Sequence, residues 1–275
     1  MSPVHPIRLF IIAAAARTYP RVAWMFRNRT WLIQETLLPL MSVCALAFVY
    51  KWMNAPKEYV GIVILGAAMT AFWVNVLWSL GAHLYWERDS GNLELYIQSP
   101  APMMGILAGM AMGGLLTTAV RAATILTAGM VIFDLEFHPT SWWLLSVVFG
   151  LTMLSLYGLG MMFSSVFLLF GREAWHTVNL LQEPVYLLTG MNVPLKALGQ
   201  MTHSAVPALG LMIPLAAGID ALRQILFRLD GYLPLNTEIA LLAVLSVLFL
   251  ALARWCLVTL ERKAKAEGRL TVKWQ

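Results

Sequence analysis

Long apolar runs, separated by short polar breaks, dominate this chain and predict helices of membrane-spanning length. Crossing a hydrocarbon core takes about 20 mostly apolar residues. Such runs occupy Leu32 to Trp52, Tyr59 to about Leu80, Met103 to Phe133, Trp142 to Phe170 and Ile239 to about Val258. A shorter and more polar run, marked by Pro184, begins near Ala174 and reaches about Thr189. Counted as the fifth span, it gives six. The apolar stretch from Met191 to Phe227 is interrupted by Pro194, Pro207, Gly210, Pro214 and Gly218, too often for one straight helix. It predicts short re-entrant helices, because irregular backbone at membrane depth must be shielded by protein. The fold class expected is therefore an all-α membrane protein: residues 32–275 form one six-span domain with a re-entrant segment at about 191–227 and a basic tail from about 259.

Residues 1–31 read differently. Leu9, Phe10, Ile11, Ile12, Trp24 and Met25 interleave with Arg8, Arg17, Arg21, Arg27 and Arg29. That pattern predicts an amphipathic interfacial segment, kinked or restarted near Pro20, with a basic tail of little structure as the plain alternative. A second amphipathic stretch, at about 86–100, joins the second and third spans. There Asp89, Ser90 or Asn92 caps a short helix and Pro100 stops it. Leu93, Tyr96, Ile97 and Pro100 share one face, which either the bundle or a partner must cover.

Composition agrees with this picture. Of 275 residues 60% are hydrophobic and 12% charged, about half the charge of an ordinary soluble domain. The net charge of +5 is not a nucleic-acid footprint, because the basic residues cluster by membrane side. Arg8 to Arg29, Arg88, Arg172 and Arg254 to Lys273 fall on one side; Lys51, Lys57, Lys196, Arg223 and Arg228 fall on the other. By the positive-inside rule both termini are cytoplasmic, in a multi-pass protein of the cell inner (plasma) membrane. Trp52, Trp142 and Trp143 near one set of span ends, and Trp31, Trp86 and Trp175 near the other, read as aromatic belts. Cys44 and Cys256 both sit in apolar runs, which argues against a disulfide or metal framework. No cleavable signal peptide is expected, since Arg17 and Arg21 interrupt the first apolar run.

Several polar residues within the spans are candidates for chemistry. Arg121 lies inside the third span, where a charge needs protein or water around it. It either lines a pathway or pairs structurally with Glu183, Asp220 or Glu35. His176, Asn179 and Glu183 share a helix face, as pathway lining or as polar glue between helices. Gly105, Gly109, Gly113 and Gly114 give a small-residue repeat suited to close helix packing.

The 86–100 segment resembles the coupling-helix region of type-2 ABC exporter permeases at Glu87, Arg88, Gly91, Asn92, Leu93, Glu94, Ser99 and Pro100. Pro184 to Pro194, with Thr189-Gly190, is similar to the family's Pro, Leu-Ser-Gly, Pro run, and Pro214 to Arg223, with Asp220, to its Pro-Leu and Ala-Leu-Arg run. Leu198-Gly199 departs from the family's Leu-Pro. The resemblance implies that Glu87, Arg88, Gly91, Leu93, Glu94, Tyr96 and Ile97 couple the chain to an ATPase. It implies a re-entrant motif at Pro184, Gly190, Pro194, Pro214, Asp220 and Arg223. It also implies a second permease chain, identical or related, and ATP-driven export of a drug-like or lipid-like amphiphile, or of a polysaccharide or glycolipid. This chain has no phosphate loop, no metal motif and no catalytic constellation, so no cofactor is expected on it. ATP and Mg belong to a separate ATPase subunit, present in two copies, while membrane lipids are the other partner and nucleic acid is not expected. A secondary transporter working without ATP is the competing class, disfavoured by the lack of a visible internal repeat.

Overall fold

In a computed structural model, residues 6–170, 174–202 and 205–267 are described, and among them the chain is all-helical. Arg172 and the tail from Gly268 lie outside the described residues, as do the side chains of Trp31 and Trp175. Helix α1 spans Pro6–Arg27 and α2 spans Arg29–Trp52. Next come α3 (Lys57–Val74), a π-helical stretch (Asn75–Gly81), α4 (His83–Asp89) and α5 (Asn92–Gln98). The long helices α6 (Met103–Phe133) and α7 (Trp142–Phe170) follow, then α8 (Ala174–Leu188). Short helices α9 (Leu195–Met201), α10 (Ala205–Leu211) and α11 (Pro214–Phe227) lead into α12 (Leu235–Glu267).

Among the described residues, five helical segments are long and apolar enough to cross a membrane: Ile33–Trp52, Lys57–Asp89, Met103–Phe133, Trp142–Val166 and Leu235–Thr259. The expected fifth span is not among them. Helix α8 has 15 residues, roughly 22 Å at about 1.5 Å each. That is short of a hydrocarbon core of about 30 Å. It ends where Gly190 turns left-handed, at φ 67°. Among the described residues α10 and α11, which meet at 98°, give a sixth candidate crossing if they are taken together.

Proline sets many of the helix starts. Pro56, Pro102 and Pro194 immediately precede α3, α6 and α9, and Pro214 occupies the first turn of α11. The ring fixes φ near its helical value and the missing N–H would be unpaired there in any case. Pro20 behaves otherwise, because α1 runs through it and the break falls at Asn28.

Helix α3 and the π-helical stretch form the centre. Val60 to Ala71 are almost continuously buried, and Phe72, Trp73, Val76, Leu77 and Leu80 complete the core. Helix α7 closes one side: Gly160 faces Val76 and Leu80, Gly218 of α11 faces Thr152, and Ser246 of α12 donates to the Leu151 carbonyl at 3.1 Å. Helix α6 closes the other side. Along it run α1 and then α2, in the same direction. Phe10, Ala14 and Arg21 sit over Gly105, Gly109 and Gly113, Glu35 reaches Arg121, and Phe48 meets Phe133 with centroids 4.9 Å apart. The glycine repeat is thus the seat of α1, which lies lengthwise on α6. By contrast α2 is peripheral, with almost all of its apolar length outside the core.

At Gly109 a Cβ would run into the backbone of Ala14, which has no soft side chain to move aside. Gly109→Ala is expected to lower Tm in detergent by several degrees, the effect of about 1–3 kcal/mol of overpacking. Gly150→Ala, where a Cβ meets open space, is the control that leaves Tm unchanged or slightly raised.

Candidate functional site

A polar recess lies where α6 meets the π-helical stretch. Its volume is about 430 Å³, and its lining includes Arg21, Glu35, Asn75, Trp78, Thr117 and Arg121. Asn75 opens the π-helical stretch, in which the Ala82 amide reaches back to the Leu77 carbonyl at 3.2 Å. Stretches of this kind re-aim side chains and are frequent at functional sites. Here Asn75, Trp78 and Ser79 are turned to the cavity. The Tyr157 hydroxyl donates to the Asn75 carbonyl oxygen at 3.2 Å, and the Trp78 indole donates to Gln182 of α8 at 2.6 Å.

Two arginines face this space. Arg121 donates to Glu35 at 2.6 Å and to the Ala71 carbonyl at 2.8 Å, while its Nε is buried without a partner among the described residues. Of the three carboxylates that the sequence offered Arg121, Glu35 is the one it pairs with. Arg21 packs its aliphatic stem on Gly113. Among the described residues no carboxylate lies within ion-pair range of it.

One turn earlier on α1, Arg17 belongs to a second cluster, at the end of the bundle that carries α4 and α5. Its guanidinium donates to Glu87 at 2.8 Å, and His83 Nε2 lies 2.8 Å from the same carboxylate oxygen. Tyr96 and Asn92 also hydrogen-bond Glu87. Arg17 lies over the Tyr96 ring, 4.7 Å from its centroid, and burial together with the Glu87 carboxylate pushes the Tyr96 phenol above its usual range. Gly91 joins α4 to α5 in the left-handed region at φ 76°, with nothing within 4 Å of a would-be Cβ; the need there is purely conformational.

These facts redistribute the expected coupling residues. Glu87 is buried and its side chain is held within the bundle, so it does not present itself to a partner. Leu93 is buried, and Tyr96 and Ile97 pack on the core, so the bundle itself covers the apolar face of α5. Arg88 stacks on Tyr85 at 5.2 Å. Facing outward are Leu95, 64% exposed, Asp89 and Gln98; Glu94 is half-buried, and Trp86, partly exposed, borders the cavity. Leu95 gave a signal in the sequence, being the apolar residue off the shared face of Leu93, Tyr96 and Ile97.

The two proline-marked motifs converge through Arg223. Its guanidinium donates to the Gly190 carbonyl at 2.6 Å, the Met191 carbonyl at 2.8 Å and the Ile62 carbonyl at 3.2 Å. Arg223, expected on the same side as Lys51 and Lys57 and within the re-entrant motif, is 2% exposed and caps the turn after α8, where the Gly190 and Met191 carbonyls lie beyond the helix end. Asp220 accepts the Tyr232 amide at 2.6 Å. Pro184 lies exposed within α8. His176, Asn179 and Glu183 are exposed on α8 and are not among the residues that line the cavity; Gln182 of that helix contacts it through Trp78. Sequence reasoning missed Arg21, Asn75 and Trp78. An asparagine between Val74 and Val76 in an otherwise apolar span was the available signal.

Glu87→Ala is expected to cost about 3 kcal/mol or more, since it strands Arg17 and removes the acceptor of His83 and Tyr96. A lower Tm and faster labelling of an introduced Leu93→Cys thiol would report it. Glu94→Ala is expected to leave both unchanged.

No protein-family model matches this chain, and no curated protein matches it either, so the resemblance of its motifs stands on the residues themselves.

Proposed function

We propose that this chain is the membrane-spanning permease subunit of an ATP-driven exporter of the type-2 ABC class, moving an amphiphilic, drug-like or lipid-like substrate out of the cell by alternating access. In this reading the α4–α5 end faces the cytoplasm of a cell whose plasma membrane the chain crosses, with both termini on that side. ATP and Mg act on a separate ATPase, two copies of which dock beneath a pair of permease chains.

One observation carries the reading: the α4–α5 end and the interior cavity share a helix. Arg17 binds Glu87 and stacks on Tyr96 of α5, and Arg21, four residues on and on the same side of α1, faces the cavity. The run from α3 through the π-helical stretch to α4 forms a second connection, with Asn75 at the cavity and Glu87 at its far end. Force applied to the outer side of α5 reaches the cavity through packed side chains and charge-assisted hydrogen bonds. Such force moves the bundle only if the ATPase, on binding nucleotide, favours one arrangement over another. The helix α5 offers its partner Leu95 and its neighbours, while its own apolar face keeps it fixed to the bundle. That division of faces suits a lever.

Purification from native membranes in mild detergent is expected to bring along a stoichiometric subunit with a phosphate loop and ATP turnover. Leu95→Asp is expected to lose most of that subunit without lowering Tm, because an exposed apolar anchor in an interface centre carries a large share of binding. A chain that purifies alone and transports under an ion gradient would overturn the proposal in favour of a secondary transporter.

A further inference from the structure

The charge in the cavity is unbalanced. Its lining holds two guanidiniums, Arg21 and Arg121, against one carboxylate, Glu35. Glu35 is committed to Arg121 at 2.6 Å, and Arg17, the charged neighbour of Arg21 on its own helix, is committed to Glu87. The groups facing Arg21 from α6 and the π-helical stretch are Gly113, Thr117, Thr118 and Asn75, none of them anionic. The Asn75 side-chain oxygen accepts from Tyr157, and the Arg121 Nε has no acceptor among the described residues. A cation at this depth in an apolar bundle calls for a counter-charge. No described residue supplies one.

We propose that the cavity takes the anionic headgroup of an amphiphile, with Arg21 as the residue that meets the charge. The volume, about 430 Å³, is that of a site for a small group and not for a whole lipid. The tail lies outside it, along α2. That helix flanks the cavity through Glu35 and Thr36 and leaves Ile33, Leu37, Leu38 and Met41 exposed beside them. Headgroup in the polar recess and chain against an apolar flank is the arrangement an amphiphile satisfies and a small soluble anion does not. Glu35 then sets selectivity: it neutralises one arginine, so the net charge offered suits a single negative charge. The proposal rests on the permease reading only for what the binding serves.

The test is native mass spectrometry of the full-length chain in a neutral detergent, without any ATPase. Its probes are myristoyl lysophosphatidylglycerol, tail-matched myristoyl lysophosphatidylcholine, and glycerol phosphate as the headgroup without a tail. The wild-type chain is expected to prefer the anionic lipid by about tenfold, the ratio one partly desolvated ion pair supplies, and to bind glycerol phosphate far more weakly. Arg21→Gln is expected to bring the ratio near one, and Glu35→Gln, which keeps an acceptor for Arg121, to raise it severalfold. Arg254→Gln, an exposed arginine on α12 that does not line the cavity, is expected to leave it alone. Equal binding of the two lipids by the wild type, or a ratio indifferent to both Arg21→Gln and Glu35→Gln, would overturn the proposal. Glycerol phosphate binding as tightly as the lipid would overturn the amphiphile and leave a plain anion site. Should Arg21→Gln not fold, the opposite-signed Glu35→Gln effect still decides. Because no ATPase is present, these outcomes are separate from loss of the ATPase partner.

Discussion

An arginine inside an apolar bundle has to be met by something polar, and much of this structure is organised by how that is done. Three solutions appear. Arg17 is met by a buried carboxylate that also receives His83, Tyr96 and Asn92. Arg223 is met by backbone carbonyls, those of Gly190 and Met191 in the turn after α8 and that of Ile62 within α3. Arg121 is met by one of each, Glu35 and the Ala71 carbonyl. Each solution joins elements far apart in the chain, because a guanidinium offers five donors in a rigid fork and one helix rarely supplies acceptors for them all. Removing any one leaves polar groups stranded where water does not compensate for the loss.

The placement of α1 follows from the same requirement together with close packing. Glycines at 105, 109 and 113 let α1 approach α6 until Thr18 reaches the Gly109 carbonyl at 3.0 Å. At that separation Arg17 and Arg21 are carried inward as a pair, one to the Glu87 cluster and the other to the cavity. A looser contact would leave both arginines in the headgroup region, as befits a helix lying flat on a membrane. The small residues therefore decide where the charges go, and the charges in turn fix the register of α1.

Within the buried α3 run, the π-helical stretch redirects one span. Seven residues, Asn75–Gly81, turn Asn75 and Trp78 toward the cavity while Val76, Leu77 and Leu80 stay in the core. Through Trp78 and Gln182 it also holds α8.

The sequence by itself determined the long helices, because apolar length and proline punctuation are local properties. Met103–Phe133 and Trp142–Phe170 have the bounds read from the chain, and the broken stretch after Met191 resolves into short helices as its prolines required. The shared face of Leu93, Tyr96 and Ile97 was equally legible, since periodicity says which residues are buried together. Periodicity does not say what buries them, and there the tertiary structure decided for the bundle. It also decided that Glu87 turns inward, that Arg121 takes Glu35 and not Glu183 or Asp220, and that Arg21 stands at the cavity with no carboxylate in ion-pair range among the described residues. Those outcomes depend on which helices lie side by side and at what rotation, and no residue's immediate neighbours in the chain carry that information.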